Sequence, residues 1–182
     1  MRSRPTHRTT VAGATVAVVL TALVAGCTSS DDDAPGPAAS AAASSPANAR
    51  VTGTVWVANE GGDSLSVIDA ATDAVVTTVE GVGGPHNVQV APDGGRVYVV
   101  SGHAGMVAAL DTTTYRLAAA APTGEGPAHV VLTPDGSTTY VANSGNGTVS
   151  AYRGDLTPSG TIDLGGGPHG LRPTADGSTV VV

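Results

Sequence analysis

Two histidines in this sequence follow the same three residues, and imidazole is a common ligand for transition metals in proteins. His86 and His169 each end the phrase Gly-Gly-Pro-His. Neither a carboxylate nor a thiol joins the pair at ligand spacing, and two imidazoles leave most of a tetrahedral metal shell to water. The sequence therefore predicts no metal site and no cofactor. His86 and His169 remain the candidates should a metal bind.

A further copy of this phrase carries its histidine one position later. Ala128 stands where the other two copies have histidine, and His129 follows it. On a regular strand, a step of one residue turns the side chain to the opposite face. The sequence therefore predicts that His129 faces away from His86 and His169, which would then line a channel mouth and bind water or backbone.

Recurring aspartates are the other candidates for chemistry, and their neighbours identify them as turn residues. Asp93 and Asp135 each stand between Pro and Gly, and Asp176 stands between Ala and Gly. Proline sets the first φ of such a turn, and glycine takes the positive-φ position. Asp69 and Asp111 end strand-like runs and are expected to bind the backbone amides that follow. Because the sequence has no nucleophile elbow, zinc-protease or phosphate-loop motif, we predict no catalytic or cofactor-binding residue.

The one cysteine, Cys27, follows a segment typical of export signals. Arg2, Arg4 and Arg8 precede an uncharged apolar run, residues 11–26, which is short for a span of about 20 residues. The end of the run together with Cys27 reads Leu-Val-Ala-Gly-Cys, and this sequence resembles the lipobox of bacterial lipoproteins. The resemblance implies that residues 1–26 are removed and that Cys27 is lipidated, which places the protein on the outer face of the bacterial cytoplasmic membrane. A plain secretory signal or a short membrane anchor is the alternative.

Residues 27–53 are predicted to be the lipidated cysteine and a disordered tether. The segment is rich in Ala, Ser, Pro and Asp and lacks hydrophobic periodicity. Such a composition cannot bury enough apolar surface to offset the entropy lost on ordering. The tether would hold the following domain away from the membrane surface.

The candidate residues stand in a sequence that repeats about every 42 residues. Trp56, Tyr98 and Tyr140 are spaced 42 residues apart, and each lies in a short apolar run. Each copy reads as four short strands joined by turns, and this repeat length is typical of β-propeller blades. We therefore predict an all-β fold of four-stranded antiparallel blades over residues 54–182.

The residue sequence within each repeat also indicates a type of propeller. Runs such as Val-Tyr-Val, Val-Ile-Asp, Gly-Gly-Pro-His and Pro-Asp-Gly resemble the YVTN-type β-propeller repeat of exported surface proteins. The resemblance covers residues 54–182 and implies that the Gly-Pro motif leads into the innermost strand. His86 and His169 would then lie near the propeller axis. Pro158 in the third copy fits the outermost strand of a blade, because proline cannot donate to a sheet ladder and is tolerated mainly at an edge.

The repeats predict an incomplete ring. From Thr54 the chain supplies three strands of one blade, two complete blades and two strands of another. Propellers close with four or more blades, so we expect either a partial chain of a longer propeller or assembly of several chains. Open blade edges would favour self-association.

The acidic composition of the chain argues against one class of function. The chain has 15 acidic residues against 8 arginines, and its net charge of −7 argues against nucleic-acid binding. We predict a membrane-anchored binding or interaction module for a protein or cell-envelope ligand that the sequence does not name. The alternatives are a propeller-scaffold enzyme, either a lactonase-like hydrolase or a metal-dependent oxidoreductase, and a non-functional fragment.

Overall fold

The computed structural model describes residues 51–182, and these form thirteen short β-strands. The predictions for residues 1–50, including lipidation of Cys27, lie outside the described residues. The strands are β1 Thr54–Asn59, β2 Ser64–Asp69, β3 Ala74–Glu80, β4 Pro85–Val90, β5 Arg96–Ser101, β6 Met106–Asp111, β7 Leu117–Pro122, β8 Pro127–Leu132, β9 Thr138–Asn143, β10 Thr148–Arg153, β11 Pro158–Asp163, β12 Arg172–Pro173 and β13 Val180–Val181. Between residues 51 and 182 the one helix is the 3-10 turn Glu60–Gly62, and no helix there could cross a membrane.

The strands form four antiparallel sheets in chain order. The first sheet is β1-β2-β3, and the last is the pair β12-β13. Between them lie two four-stranded sheets, β4-β5-β6-β7 and β8-β9-β10-β11. This grouping of three, four, four and two strands confirms the predicted all-β fold of propeller blades. We number these sheets blade 1 to blade 4.

Apolar residues on both faces of the middle strands form cores between neighbouring blades. The core between blades 1 and 2 contains Trp56, Leu65, Val67, Val97, Val99, Ala108 and Leu110. The core between blades 2 and 3 contains Tyr98, Val100, Val107, Ala109, Ala121, Val130, Leu132, Val141, Tyr152 and Leu156. Val97 and Tyr98 are adjacent on β5 yet enter different cores, because successive strand residues point to opposite faces.

The free face of blade 1 shows what an uncovered blade exposes. Val55 on β1 is 48% exposed, whereas Val97, its counterpart one repeat later, is fully buried against blade 1. The same valine position is therefore a core position when a neighbouring blade is present and a surface position when none covers it. No blade within the described residues 51–182 covers this face.

The outer strand of blade 3 accommodates its proline as predicted. Pro158 begins β11, and β11 is the last strand of its sheet. All six residues of this strand are exposed. Because no strand of this sheet lies beyond β11, the missing amide hydrogen of Pro158 is tolerated at this edge.

Asp69 and Asp111 end strands β2 and β6 and bind the amides of the turns that follow. Asp69 accepts hydrogen bonds from the amides of Ala71 and Thr72 at 2.7 and 3.0 Å. Asp111 accepts equivalent bonds from Thr113 and Thr114. These contacts match the structural role predicted from the sequence.

Asp176 provides a pH prediction for this turn chemistry. Its carboxylate accepts hydrogen bonds from the Thr174 hydroxyl at 2.5 Å and from the Ser178 amide at 3.1 Å. These bonds lower the pKa of Asp176 from 3.8 to about 2, and the bond from the Thr174 hydroxyl has the largest effect. Because the folded pKa lies below the unfolded one, the carboxylate stabilises the turn above about pH 4, and this stabilisation is lost as pH falls toward 2.

An NMR titration of the side-chain carboxyl carbons checks this prediction. The signal of Asp176 should titrate near pH 2 in the wild type. In Thr174→Val, which lacks the donating hydroxyl, the pKa should move back toward 3.8. An unchanged pKa in that variant would contradict the assignment of the hydroxyl as the main cause.

Candidate functional site

The candidate site lies where the innermost strands of the blades begin. β4 of blade 2 and β8 of blade 3 each start at the proline of the Gly-Pro motif. Their neighbouring placement is fixed by two hydrogen bonds between side chain and backbone. His86 Nδ1 lies 3.0 Å from the Ala128 carbonyl oxygen, and the Val130 amide donates to Asn87 Oδ1 at 3.0 Å. We call this end of the inner strands the hub end.

Three imidazoles converge at the hub end: His86 from β4, His129 from β8 and His169 from the segment that precedes β12. The ring centres of His86 and His169 are 5.6 Å apart, those of His86 and His129 are 5.9 Å apart, and those of His129 and His169 are 4.5 Å apart. One ring nitrogen from each can be chosen so that all lie within 4.8 Å of one another. Among the described residues, this is the one group of three or more His, Cys, Asp or Glu side chains close enough to share a metal ion.

The position of His129 corrects the prediction that it faces away from the other two. The pairing of β8 with β9 shifts register between Pro127 and His129. Pro127 pairs with Asn143 and His129 with Ala142, so Ala128 is an extra residue in a β-bulge. A bulge interrupts the strict alternation of side chains along a strand. β4 shows the same kind of register shift between Pro85 and Val88, so the strict alternation is interrupted at this point in both inner strands. A one-residue offset therefore does not place His129 on the opposite face, and His129 joins the cluster.

The surroundings of His86 and His129 determine which ring nitrogen of His86 is free and which form of the His129 ring is favoured. A carbonyl oxygen can only accept, so His86 Nδ1 donates to Ala128 when the ring is neutral, which leaves Nε2 with a free lone pair. Burial lowers the pKa of His129 below its ordinary value of 6.5, and the neighbouring rings of His169 and His86 lower it further. The neutral ring, which can bind a metal or accept a proton, is thus favoured at His129.

A second polar pair, not foreseen from the sequence, lies beside the entry to β4. His103 Nδ1 is 3.2 Å from Asp63 Oδ1, and the same carboxylate oxygen accepts the Gly84 amide at 2.7 Å. Gly84 has φ +54, and a side chain there would meet the His103 ring at 2.9 Å. His103 and Asp63 stand in the β5–β6 and β1–β2 loops, and neither residue recurs in the other repeats. The sequence analysis selected residues that recur in several repeats, so it could not identify His103 and Asp63.

The turn aspartates do not join the imidazoles. Asp93 and Asp135 follow the far ends of β4 and β8, whereas His86 and His129 stand at the start of these six-residue strands. A strand of that length spans about 20 Å. The hub end of the described chain therefore contains imidazoles without a neighbouring carboxylate from these turns.

The chain matches one protein-family model. The model is described as "Lactonase, 7-bladed beta-propeller", and it matches residues 61–165. A comparison with curated protein sequences found no match. The matched region runs from the β1–β2 loop to just beyond β11 and includes His86, His103 and His129.

Several solved structures share the fold. One is Kuenenia stuttgartiensis hydrazine synthase, with a TM-score of 0.67 and 27% identity over 70% of this chain and 37% of that chain. Another is a candidate 6-phosphogluconolactonase from Bacteroides uniformis, with a TM-score of 0.59 and 20% identity over 73% of this chain. The chain spans 37% and 46% of the lengths of these two structures.

Proposed function

Since this chain belongs to the family of seven-bladed β-propeller lactonases, we propose that it is a cell-envelope propeller that binds a small polar ligand at its hub end. The observation that carries the proposal is the convergence of His86, His129 and His169 from three successive sequence repeats. Side chains from several repeats that meet at one point offer a small set of converging polar groups, which is what fixes the orientation of a bound small molecule.

The class of ligand that we propose is a lactone or its sugar acid. The family description supports this choice, as does the likeness to a candidate 6-phosphogluconolactonase. Neutral imidazoles can donate one hydrogen bond and accept another. They can therefore bind the hydroxyl groups and the carboxylate of a sugar acid.

The ligand class can be tested with 6-phosphogluconate as the probe. In an NMR titration of the purified protein, the ring signals of His86, His129 and His169 should shift saturably with ligand concentration. His103 is the internal control, because it lies outside the cluster. A titration in which none of the three rings shifts, or in which His103 shifts equally, would contradict the proposed site and ligand class.

Lactone hydrolysis is the second candidate function, and the family match favours it. In this reaction water adds to the lactone carbonyl carbon, the ring C–O bond breaks, and the products are the hydroxy acid and its released proton. An imidazole such as His129 could take the proton from the attacking water. Proton release from 6-phosphogluconolactone should then exceed the spontaneous rate and fall in His129→Ala. Ligand binding without acceleration would assign the protein as a binding module.

We further propose that the propeller is of the YVTN type and is held at the outer face of the cytoplasmic membrane by lipid on Cys27. The basic residues, the apolar run 11–26 and the sequence Val-Ala-Gly-Cys support this placement. Two acyl signals give stable anchoring where a single chain is marginal. Residues 27–53 would act as the tether.

Metabolic labelling with a fatty-acid probe tests the lipid anchor. The wild-type protein should be labelled and recovered with membranes, whereas Cys27→Ser should be unlabelled. Because Cys27 is the one cysteine of the chain, no other thiol can carry the label. Equal labelling of the two proteins would refute the anchor without bearing on the hub.

A further inference from the structure

We propose that His86, His129 and His169 together bind one divalent transition-metal ion, and Zn²⁺ is the test ion because three imidazoles with one open position are a known zinc arrangement. The inference rests on the proposed function only in that both use the hub end. The metal ion would be the species that the three imidazoles bind directly.

The geometry is close to what a tetrahedral ion requires. The three candidate ligand nitrogens lie within 4.8 Å of one another. With Zn–N bonds of about 2.0–2.1 Å, nitrogens in a tetrahedral shell are separated by about 3.3 Å. His169 is exposed and His129 is half-buried, so rotation of these two rings can supply the difference while His86 keeps its hydrogen bond to Ala128.

The donor set selects the class of metal. Imidazole nitrogen suits zinc, copper, nickel and iron, whereas magnesium and calcium require oxygen ligands. The cluster has three imidazoles and no carboxylate. Three histidines leave a fourth tetrahedral position for water or for a bound ligand, as in zinc sites that are open to solution.

A hydrogen bond beyond the ligands already orients one of the rings. His86 Nδ1 donates to the Ala128 carbonyl oxygen at 3.0 Å. Metal-binding histidines commonly make such a bond through the nitrogen that does not bind the metal, and the bond fixes the ring orientation. His86 would therefore present Nε2 to the ion. The acceptor carbonyl belongs to β8, the strand that supplies His129.

Equilibrium dialysis against Zn²⁺, with metal measured by elemental analysis, tests the site in the purified wild-type protein. We expect one zinc per chain at saturation. We expect at least a tenfold loss of affinity in His86→Ala, His129→Ala and His169→Ala. His103→Ala is the matched control, because it removes a histidine outside the cluster and should leave affinity unchanged.

The variants are accepted only if circular dichroism and the thermal midpoint without zinc match the wild type. Should a variant fail to fold, protection of the wild-type rings from diethyl pyrocarbonate replaces it. Zinc should then protect His86, His129 and His169 but not His103. Substoichiometric zinc, or equal loss of affinity in His103→Ala, would overturn the metal site. Retained 6-phosphogluconate binding in that case would leave the proposed function intact, and zinc binding without 6-phosphogluconate binding would refute only that ligand class.

Discussion

Replacing Tyr152 with alanine is expected to lower the free energy of unfolding by about 3–5 kcal/mol, the usual cost of removing a buried aromatic ring. Tyr152 lies on β10 of blade 3 and is 2% exposed. Its ring belongs to the core between blades 2 and 3, and its hydroxyl donates to the Pro122 carbonyl oxygen of blade 2 at 2.7 Å. The substitution therefore removes packing between blades as well as a hydrogen bond between them.

Tyr152→Phe is the matched control for this prediction. It retains the ring and removes the hydroxyl, so it should cost only about 1 kcal/mol. Urea unfolding followed by circular dichroism measures both variants against the wild type. If the two substitutions cost the same, the ring would not be packed between the blades as the structure places it.

Replacing Val97 with alanine is expected to lower the free energy of unfolding by about 2 kcal/mol, because it removes two buried methyl groups. Val97 is fully buried between blades 1 and 2, whereas its repeat counterpart Val55 is 48% exposed. Val55→Ala makes the same chemical change on a surface that no described blade covers. Its effect should stay within about 0.5 kcal/mol.

Urea unfolding at two protein concentrations separates the possible results for this pair. A large cost for Val97→Ala and a small one for Val55→Ala, at both concentrations, is the predicted result. If Val55→Ala also proves costly and its cost grows with protein concentration, the face of blade 1 is covered by a second copy. That result would support the self-association expected from the open blade edges.

The blade pattern could be predicted from the sequence because it is a repeated local signal. Apolar runs around Tyr98 and Tyr140 alternate with turns that contain Asp93 and Asp135, and each copy reinforces the others. The outermost position of Pro158 followed from the same local chemistry, because a missing amide is tolerated at a sheet edge. Strand order, turn positions and the edge strand were therefore all predictable.

The site was predicted less well because it depends on backbone detail and on contacts between repeats. The bulge at Ala128 changes the direction of the His129 side chain, and no residue preference in that short segment predicts the bulge. The pair His103–Asp63 joins loops of different blades. Neither residue has a counterpart in the other copies, so the repeat pattern contained no information about their contact.

The most direct test of the hub site is a crystal structure of the zinc-soaked protein with anomalous diffraction measured at the zinc absorption edge. The predicted result is one anomalous peak at the hub end, about 2.0–2.1 Å from a ring nitrogen of each of His86, His129 and His169. A zinc ion bound by other residues, or three hub rings that remain apart with no peak between them, would contradict the proposed metal site.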